Sequence, residues 1–339
     1  MAVNLSELAQ PVLVTGAFGF IGRRVVDALL ELGAEDICAF DLPGLTMPPH
    51  WQGRVRYIPG DMSYRPDVDR AMRGVATVIH LAAMVGDWIP LSRHQLVTVE
   101  GSRFLFDAAL HNQSRVVLSS SIVVYGDQLT NGPTHEDKPW GKPVGPYSIC
   151  KQAQERMAWR YYREKGMSLS VVRPANVYGA GSKPWVHDLV DTLRTGAPVL
   201  INGGDFNAAL VHVDNVVQLL LLCATKEAAI GEAFNGGDGN SATWKQYVTD
   251  LAKILRVSSP KSLPGSLVMP LTKMVERIWS LLGLTQRPPI TAEALNLVGA
   301  ETLLGIEKAQ TFLGYQPEVN YEQGIREVQN YVVGVWEGV

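Results

Sequence analysis

Val12-Leu13-Val14-Thr15-Gly16-Ala17-Phe18-Gly19-Phe20-Ile21-Gly22 is the stretch on which the reading of this chain turns. Its first four residues are apolar or β-branched and predict a buried strand; the residues from Gly22 to Leu32 predict a helix. Three glycines stand between. Gly16 permits a tight turn, Gly19 lets the backbone approach a pyrophosphate, and Gly22 lets the helix pack closely on a sheet. The helix N-terminus, with Phe20 and Ile21 in its first turn, then offers free N–H groups and the positive end of its dipole to phosphate. A glycine triplet alone is weak evidence, but here the strand before it and the helix after it supply the context.

The same rhythm continues outward. Ile37–Phe40, Val55–Ile58, Thr77–His80, Arg115–Ser119 and Leu169–Arg173 each read as a buried strand, with helix-length segments such as Leu96–Leu110 between them. Alternation of this kind predicts an α/β fold of Rossmann type: a doubly wound parallel sheet with helices on both faces. After Pro174 glycine and proline become frequent and strands sporadic. We therefore expect a nucleotide-binding domain over 1–174, to which 210–230 returns. A smaller, interleaved substrate-binding region over 175–209 and 231–312 follows, and then a C-terminal helical segment, 313–339.

The chain has 339 residues, 46% of them hydrophobic and 19% charged, with a net charge of −3. That balance excludes disorder and gives no basic surplus for nucleic acid. The three cysteines, Cys38, Cys150 and Cys223, form no CxxC pair, which argues against disulfides and zinc and fits a reducing compartment. The N-terminus lacks the features of a signal peptide and no apolar run reaches transmembrane length, so a cytoplasmic protein is expected. His94, His111, His135 and His187 are isolated, and no metal is expected.

Two further positions carry chemistry. Asp41 ends the second strand, nineteen residues beyond Gly22; an acid there can accept hydrogen bonds from both ribose hydroxyls and repels a 2′-phosphate, favouring NAD over NADP, although Arg23 and Arg24 lie close in sequence. Tyr147 and Lys151 stand four apart, on one face of a helix, and Ser119-Ser120-Ser121 closes the fifth strand. A lysine ammonium lowers the pKa of a neighbouring phenol, a serine hydroxyl holds a substrate oxygen, and the tyrosine exchanges the proton while nicotinamide exchanges hydride.

With these residues in view the chain resembles the extended short-chain dehydrogenase/reductases, which include nucleotide-sugar epimerases and dehydratases and 3β-hydroxysteroid dehydrogenase-like enzymes. The resemblance rests on Thr15–Gly22, Gly60-Asp61-Met62, His80-Leu81-Ala82-Ala83, Ser119–Gly126, Tyr147-x-x-x-Lys151, Arg173–Gly179 and Leu313–Pro317. It implies catalytic roles for Ser121, Tyr147 and Lys151. It implies NAD contacts from Gly16, Gly19, Phe20, Ile21, Gly22, Asp41, Asp61, Met62, Leu81, Ala82, Ala83, Ser119, Tyr147, Lys151, Pro174 and Val177. It also implies a homodimer, formed by pairing helices 96–110 and 148–163 into a four-helix bundle; Leu96, Val99 and Phe106 then need a partner beyond their own sheet.

The sequence departs from the family pattern in two places. Thr98 stands where asparagine is usual before the central helix. Ala208 stands four residues before His212-Val213-Asp214, where nucleotide-sugar members carry an arginine for the diphosphate. The expected activity is therefore NAD-dependent interconversion of a secondary alcohol and a ketone on a small-molecule substrate, 3β-hydroxysteroid dehydrogenase-like. A nucleotide-sugar epimerase or dehydratase is the alternative, and a non-catalytic cofactor-sensing regulator the second. Trp88 is a candidate pocket residue. From Leu267 to Leu284 an amphipathic helix is expected, with Leu267, Leu271, Met274, Ile278 and Leu281 on one stripe. It reads as plain packing, as a lid over an apolar pocket, or as a peripheral membrane contact.

Overall fold

The computed structural model describes residues 3–336, so the last three residues of the expected C-terminal segment lie outside the described residues. The strands are β1 (Val12–Thr15), β2 (Ile37–Asp41), β3 (Val55–Pro59), β4 (Thr77–His80), β5 (Arg115–Ser119), β6 (Leu169–Pro174), β7 (Asn176–Tyr178), β8 (Leu200–Ile201), β9 (Leu210–His212), β10 (Ala233–Gly236) and β11 (Ser262–Leu263). The helices are α1 (Phe20–Glu31), α2 (Arg65–Ala71), α3 (Leu91–His94), α4 (Gly101–Asn112), α5 (Pro146–Lys165), α6 (Asp188–Thr195), α7 (Val213–Thr225), α8 (Trp244–Ile254), α9 (Gly265–Leu281), α10 (Ala292–Val298), α11 (Glu307–Leu313) and α12 (Tyr321–Trp336).

Seven strands form one parallel sheet in the order β10-β6-β5-β4-β1-β2-β3. The chain winds one way from β1 to β2 and β3, and the other way through β4, β5, β6 and β10. The order therefore reverses between β1 and β4, where Thr15 pairs with His80. A crevice opens outside the strand ends at such a reversal, and it is where this architecture takes ligands. The central strands β1 and β4 are buried along their whole length, as strands covered by helices on both faces must be.

Each sheet face has its own apolar layer. On one side Val25 and Leu29 of α1 meet Val216, Leu220 and Leu221 of α7. α7 is buried along almost its whole length, which its run of apolar residues requires. On the other side Val68, Leu105, Phe106, Met157 and Ala158 join α2, α4 and α5. Phe106 therefore finds its partner within the chain, against the rings of His80 and Tyr161, rather than across a subunit boundary. A third cluster holds α6, α8 and α12 together through Val190, Leu193, Tyr247, Leu251 and Val328.

Two elements differ from the expected ones. The helix expected from Leu96 begins at Leu91 and passes through a wide turn over Gln95–Glu100 before α4. α9 forms where amphipathicity placed it, but it buries Val268 and Thr272, and its apolar stripe faces outward.

Candidate functional site

The glycine turn closes on itself. Gly16 has φ +68, and its N–H donates to the Phe40 carbonyl at 2.9 Å, tying the turn to β2. A Cβ there would stand 3.1 Å from the Ala82 backbone at the end of β4. At Gly22 a Cβ would collide with the Gly16 carbonyl oxygen and come within 2.8 Å of the Ala17 Cα. Gly22 thus brings α1 against the turn itself, rather than against the sheet as the sequence suggested. Gly19, the N-cap of α1, has no side chain with which to cap it. The first-turn N–H groups of Phe20–Gly22 are left for an anion.

Asp41 rims the same turn. One carboxylate oxygen accepts the Phe18 N–H at 2.9 Å and the other the Leu42 N–H at 2.8 Å. Each oxygen keeps a second lone pair. Arg24 is drawn away to Asp214 and Glu327, and Arg23 Nε donates to the Phe18 carbonyl. Gly60 N–H bonds the Asp41 carbonyl, which places Asp61 and Met62 beside the crevice. Asp61 holds the Ser63 N–H and hydroxyl at 2.7 and 2.8 Å, while Met62 is buried against Gly101. The Leu81 and Ala82 N–H groups both reach Thr15 Oγ1, at 3.2 and 3.1 Å. Ala83 follows them, and Ser119 and Pro174 end the next two strands of the sheet. Val177 lies beyond, on β7.

Ser121, Tyr147 and Lys151 meet at the ends of β5 and α5. Ser121 caps a short helical turn by accepting the Val123 N–H at 3.3 Å, and its hydroxyl is close enough to the Tyr147 phenol to favour the phenolate. Burial pushes that phenol up to about 12; the Ser121 hydroxyl pulls the other way and the nearby Glu293 charge adds to the rise. Lys151 is not the group that lowers it, contrary to the expectation from spacing. Its ammonium is turned to the Ser119 carbonyl at 2.9 Å and Gln154 Oε1 at 3.0 Å. Burial lowers Lys151 to about 8, with Glu155 opposing.

Behind Lys151 runs a proton-ordered chain. Thr15 Oγ1 accepts from two backbone N–H groups, so its own proton goes to His80 Nδ1 at 2.7 Å. His80 Nε2–H then donates to Ser102 Oγ at 2.9 Å, Gln154 Nε2 donates to the same oxygen at 2.7 Å, and Ser102 donates to the Thr98 carbonyl in the wide turn. Burial, with Lys151 adding to it, lowers His80 to about 3, so the ring is neutral. Neither His80, Ser102 nor Gln154 was expected as a site residue. Only the three-residue spacing of Lys151 and Gln154 on a helix could have signalled it.

A cavity of about 730 Å³ opens at the N-terminal end of α5, where Val144, Gly145 and Pro146 border it; Ser121, Tyr147 and Lys151 are not among its lining residues. Its walls are the loop after β4 (Asp87 to Leu91), the start of α5, α9 with the segment after it, and Glu293. Glu293 accepts the Tyr147 and Ser148 N–H groups, at 3.3 and 2.6 Å, and so caps the helix that carries Tyr147 from 146 residues away. Burial raises its pKa. Trp88 does line the cavity, and its indole N–H donates to the Leu284 carbonyl at 3.2 Å. Asp87 receives both arms of Arg287 at 2.6 Å and the Thr291 hydroxyl at 2.6 Å.

His94 is buried with Nε2 on the Gly86 carbonyl, and its ring lies 6.1 Å from that of Tyr147. His212, Asp214 and Glu327 also converge, with ligand atoms within 4.8 Å of one another, and the Arg24 guanidinium already pairs with both acids.

A model of the NAD dependent epimerase/dehydratase family matches residues 12–237. The 3beta-hydroxysteroid-dehydrogenase/decarboxylase isoform 1 of Arabidopsis thaliana is 26% identical, over 96% of this chain and 80% of its own. The 2-alkyl-3-oxoalkanoate reductase of Stenotrophomonas maltophilia is also 26% identical, over 94% of this chain and 98% of its own. Among solved structures, MoeE5 in complex with UDP-glucuronic acid and NAD superposes with a TM-score of 0.73 at 26% identity, covering 95% of this chain and 99% of that one.

Proposed function

The chain belongs to the NAD dependent epimerase/dehydratase family, and from that premise we propose that it is an NAD-dependent oxidoreductase interconverting a secondary alcohol and a ketone. The observation that carries this reading is the convergence of Ser121, which eases ionisation of the Tyr147 phenol, with a Lys151 ammonium one helical turn away, anchored on the Ser119 carbonyl. The uncapped first turn of α1 fits a pyrophosphate, and Asp41, with free lone pairs at the turn's edge and both nearby arginines engaged, fits a ribose without a 2′-phosphate. Bound there, NAD would supply the hydride acceptor or donor. Gly16, Gly19, Phe20, Ile21, Gly22, Asp61, Met62, Leu81, Ala82, Ala83, Ser119, Pro174 and Val177 would complete its site.

The chain's own residues handle the proton. Ser121 holds the substrate oxygen and orients it on Tyr147. The phenol takes the alcohol proton on oxidation and returns it on reduction. Lys151 stands one helical turn along the same face, its ammonium held by the Ser119 carbonyl and Gln154 Oε1, and keeps a positive charge in the site. Tyr147→Phe should lower turnover by about 10²–10⁴ while NAD affinity changes little. Activity within threefold of the unaltered protein refutes the mechanism.

Two observations support an apolar alcohol over a nucleotide sugar. Ala208 is fully buried and supplies no donor for a diphosphate, which needs a charged fork or N–H groups to offset its desolvation. Trp88, Ile89, Leu91, Trp279 and Leu284 give the cavity apolar walls, with Lys273 and Arg277 at its α9 border, and residues 175–209 and 231–312 would form the substrate region around it. Relatives named as hydroxysteroid dehydrogenase and alkyl-oxoalkanoate reductase act on such groups. Calorimetric titration of nucleotide sugars into NAD-saturated protein should give no micromolar binding; micromolar binding would favour an epimerase or dehydratase instead. Leu96 and Ile149, exposed on adjoining helices, support the homodimer.

A further inference from the structure

We propose that α9 and the turn after it form an interfacial anchor that seats the protein on an anionic lipid surface, with the mouth of the cavity at that surface. At about 100° per residue, Leu267, Leu271, Met274, Ile278 and Leu281 fall on one narrow stripe. Every one of them is exposed, from 41% at Ile278 to 78% at Leu281. Leu282, at 67%, and Leu284 extend the stripe past the helix end. The opposite side of the helix is spent on the body of the protein: Val268 and Thr272 are buried, and Glu276 accepts the Ala292 N–H at 2.8 Å. An apolar face this continuous, left in water, marks a surface that is covered by something.

Charge selects the cover. With Arg287 committed to Asp87, the segment 261–287 still carries Lys261, Lys273 and Arg277 against the single acid Glu276, in a chain whose net charge is −3. Lys273 and Arg277 project beside the stripe, exposed, with no ion pair among the described residues, while the one acid is turned inward. A leucine-rich stripe flanked by basic side chains is the pattern of a helix lying in a headgroup layer, its cations at phosphate level. A second copy of this chain fits less well. A two-fold pairing of α9 along its stripe would bring Lys273, at the helix centre, close to its own equivalent, with no carboxylate to separate them. No helix among the described residues is long and apolar enough to cross a membrane, so the contact is peripheral.

Position gives the contact its use. Lys273, Arg277, Ser280, Gly283 and Leu284 border the cavity from the α9 side. A molecule dissolved in the outer acyl layer would therefore reach the cavity without crossing water. The exposed stripe and its basic flank belong to α9 and the turn after it, whatever substrate the cavity takes.

The test is flotation of the full chain with vesicles of phosphatidylcholine alone and of phosphatidylcholine with phosphatidylglycerol at about 3:1. We expect binding to the anionic vesicles that weakens in 1 M salt, as headgroup attraction is screened. The double variant Leu271→Glu/Ile278→Glu should lose about tenfold or more of that binding while retaining NAD affinity, since neither residue borders the cavity. Three results overturn the proposal. One is no flotation of the unaltered chain with anionic vesicles. Another is equal flotation of the double variant with NAD affinity intact. The third is a dimer by sedimentation equilibrium that the double variant splits, which would assign the stripe to a second copy.

Discussion

Gln154 is the residue on which the state of Lys151 turns. Its carbonyl oxygen accepts from the buried ammonium, and its own amide is fixed by Ser102, which His80 and the wide turn at Thr98 hold in place. In a site where burial already lowers Lys151 to about 8, losing one of its acceptors disfavours the charged form further. Gln154→Leu should therefore move the alkaline limb of kcat/KM toward lower pH by about one unit, with little change in NAD affinity. A pH–rate profile superposable on that of the unaltered protein would show that Gln154 only fills space. His80 gives a second, independent signature. Its folded pKa of about 3 lies below the ordinary 6.5 of an unfolded histidine, so the unfolded chain binds the extra proton. Stability is full above pH 6.5 and is lost as pH falls toward 3, by about 1.4 kcal/mol per unit. Urea melts across that window should show this slope, and His80→Gln should flatten it.

At the scale of elements, α1 and α5 do the positioning, and they were unequally legible. Strand–turn–helix at Val12–Gly22 could be read because local residue types fix it: β-branched residues for the strand, glycine where φ is positive. The Tyr147–Lys151 spacing was likewise local. Glu293, which caps the helix under Tyr147, was invisible because the contact joins residues 146 apart, and nothing in a carboxylate's neighbours announces a distant helix N-terminus. The direction in which Lys151 points was hidden for a related reason: spacing gives a face, but the Ser119 carbonyl and Gln154 choose the rotamer. In α9 periodicity found the helix and its stripe, yet could not say which side faces the protein. Gly22→Ala tests the α1 geometry. Its Cβ would meet the Gly16 carbonyl and Ala17, both backbone, so α1 must move away from the turn. NAD affinity should drop at least tenfold in a titration, with a stability loss of about 1–3 kcal/mol in urea.

For the whole molecule, the decisive join is the one between the sheet and the roof of the cavity. Asp87 leaves the end of β4, and Arg287 and Thr291 come from the segment linking α9 to α10; their three hydrogen bonds of 2.6 Å, with Trp88 on the Leu284 carbonyl, clasp that roof to the crevice. Burial opposes the Asp87 charge, but the Arg287 and Thr291 bonds outweigh it and hold the carboxyl below its usual range. Removing Arg287 leaves a largely enclosed carboxylate without its partner, which costs more than a surface pair is worth. Glu293 sits at the other end of the same linkage, in α10, where it caps the helix that carries Tyr147, so loosening the roof disturbs the reacting groups only through α10. Arg287→Ala should accordingly raise KM for the alcohol about tenfold and change kcat less, while NAD affinity, which would rest on the glycine turn and Asp41, changes little. The check is steady-state kinetics paired with an NAD titration on one preparation. A parallel loss of NAD affinity would mean that the clasp supports the sheet itself, and an unchanged KM would mean that the roof is not part of the substrate site.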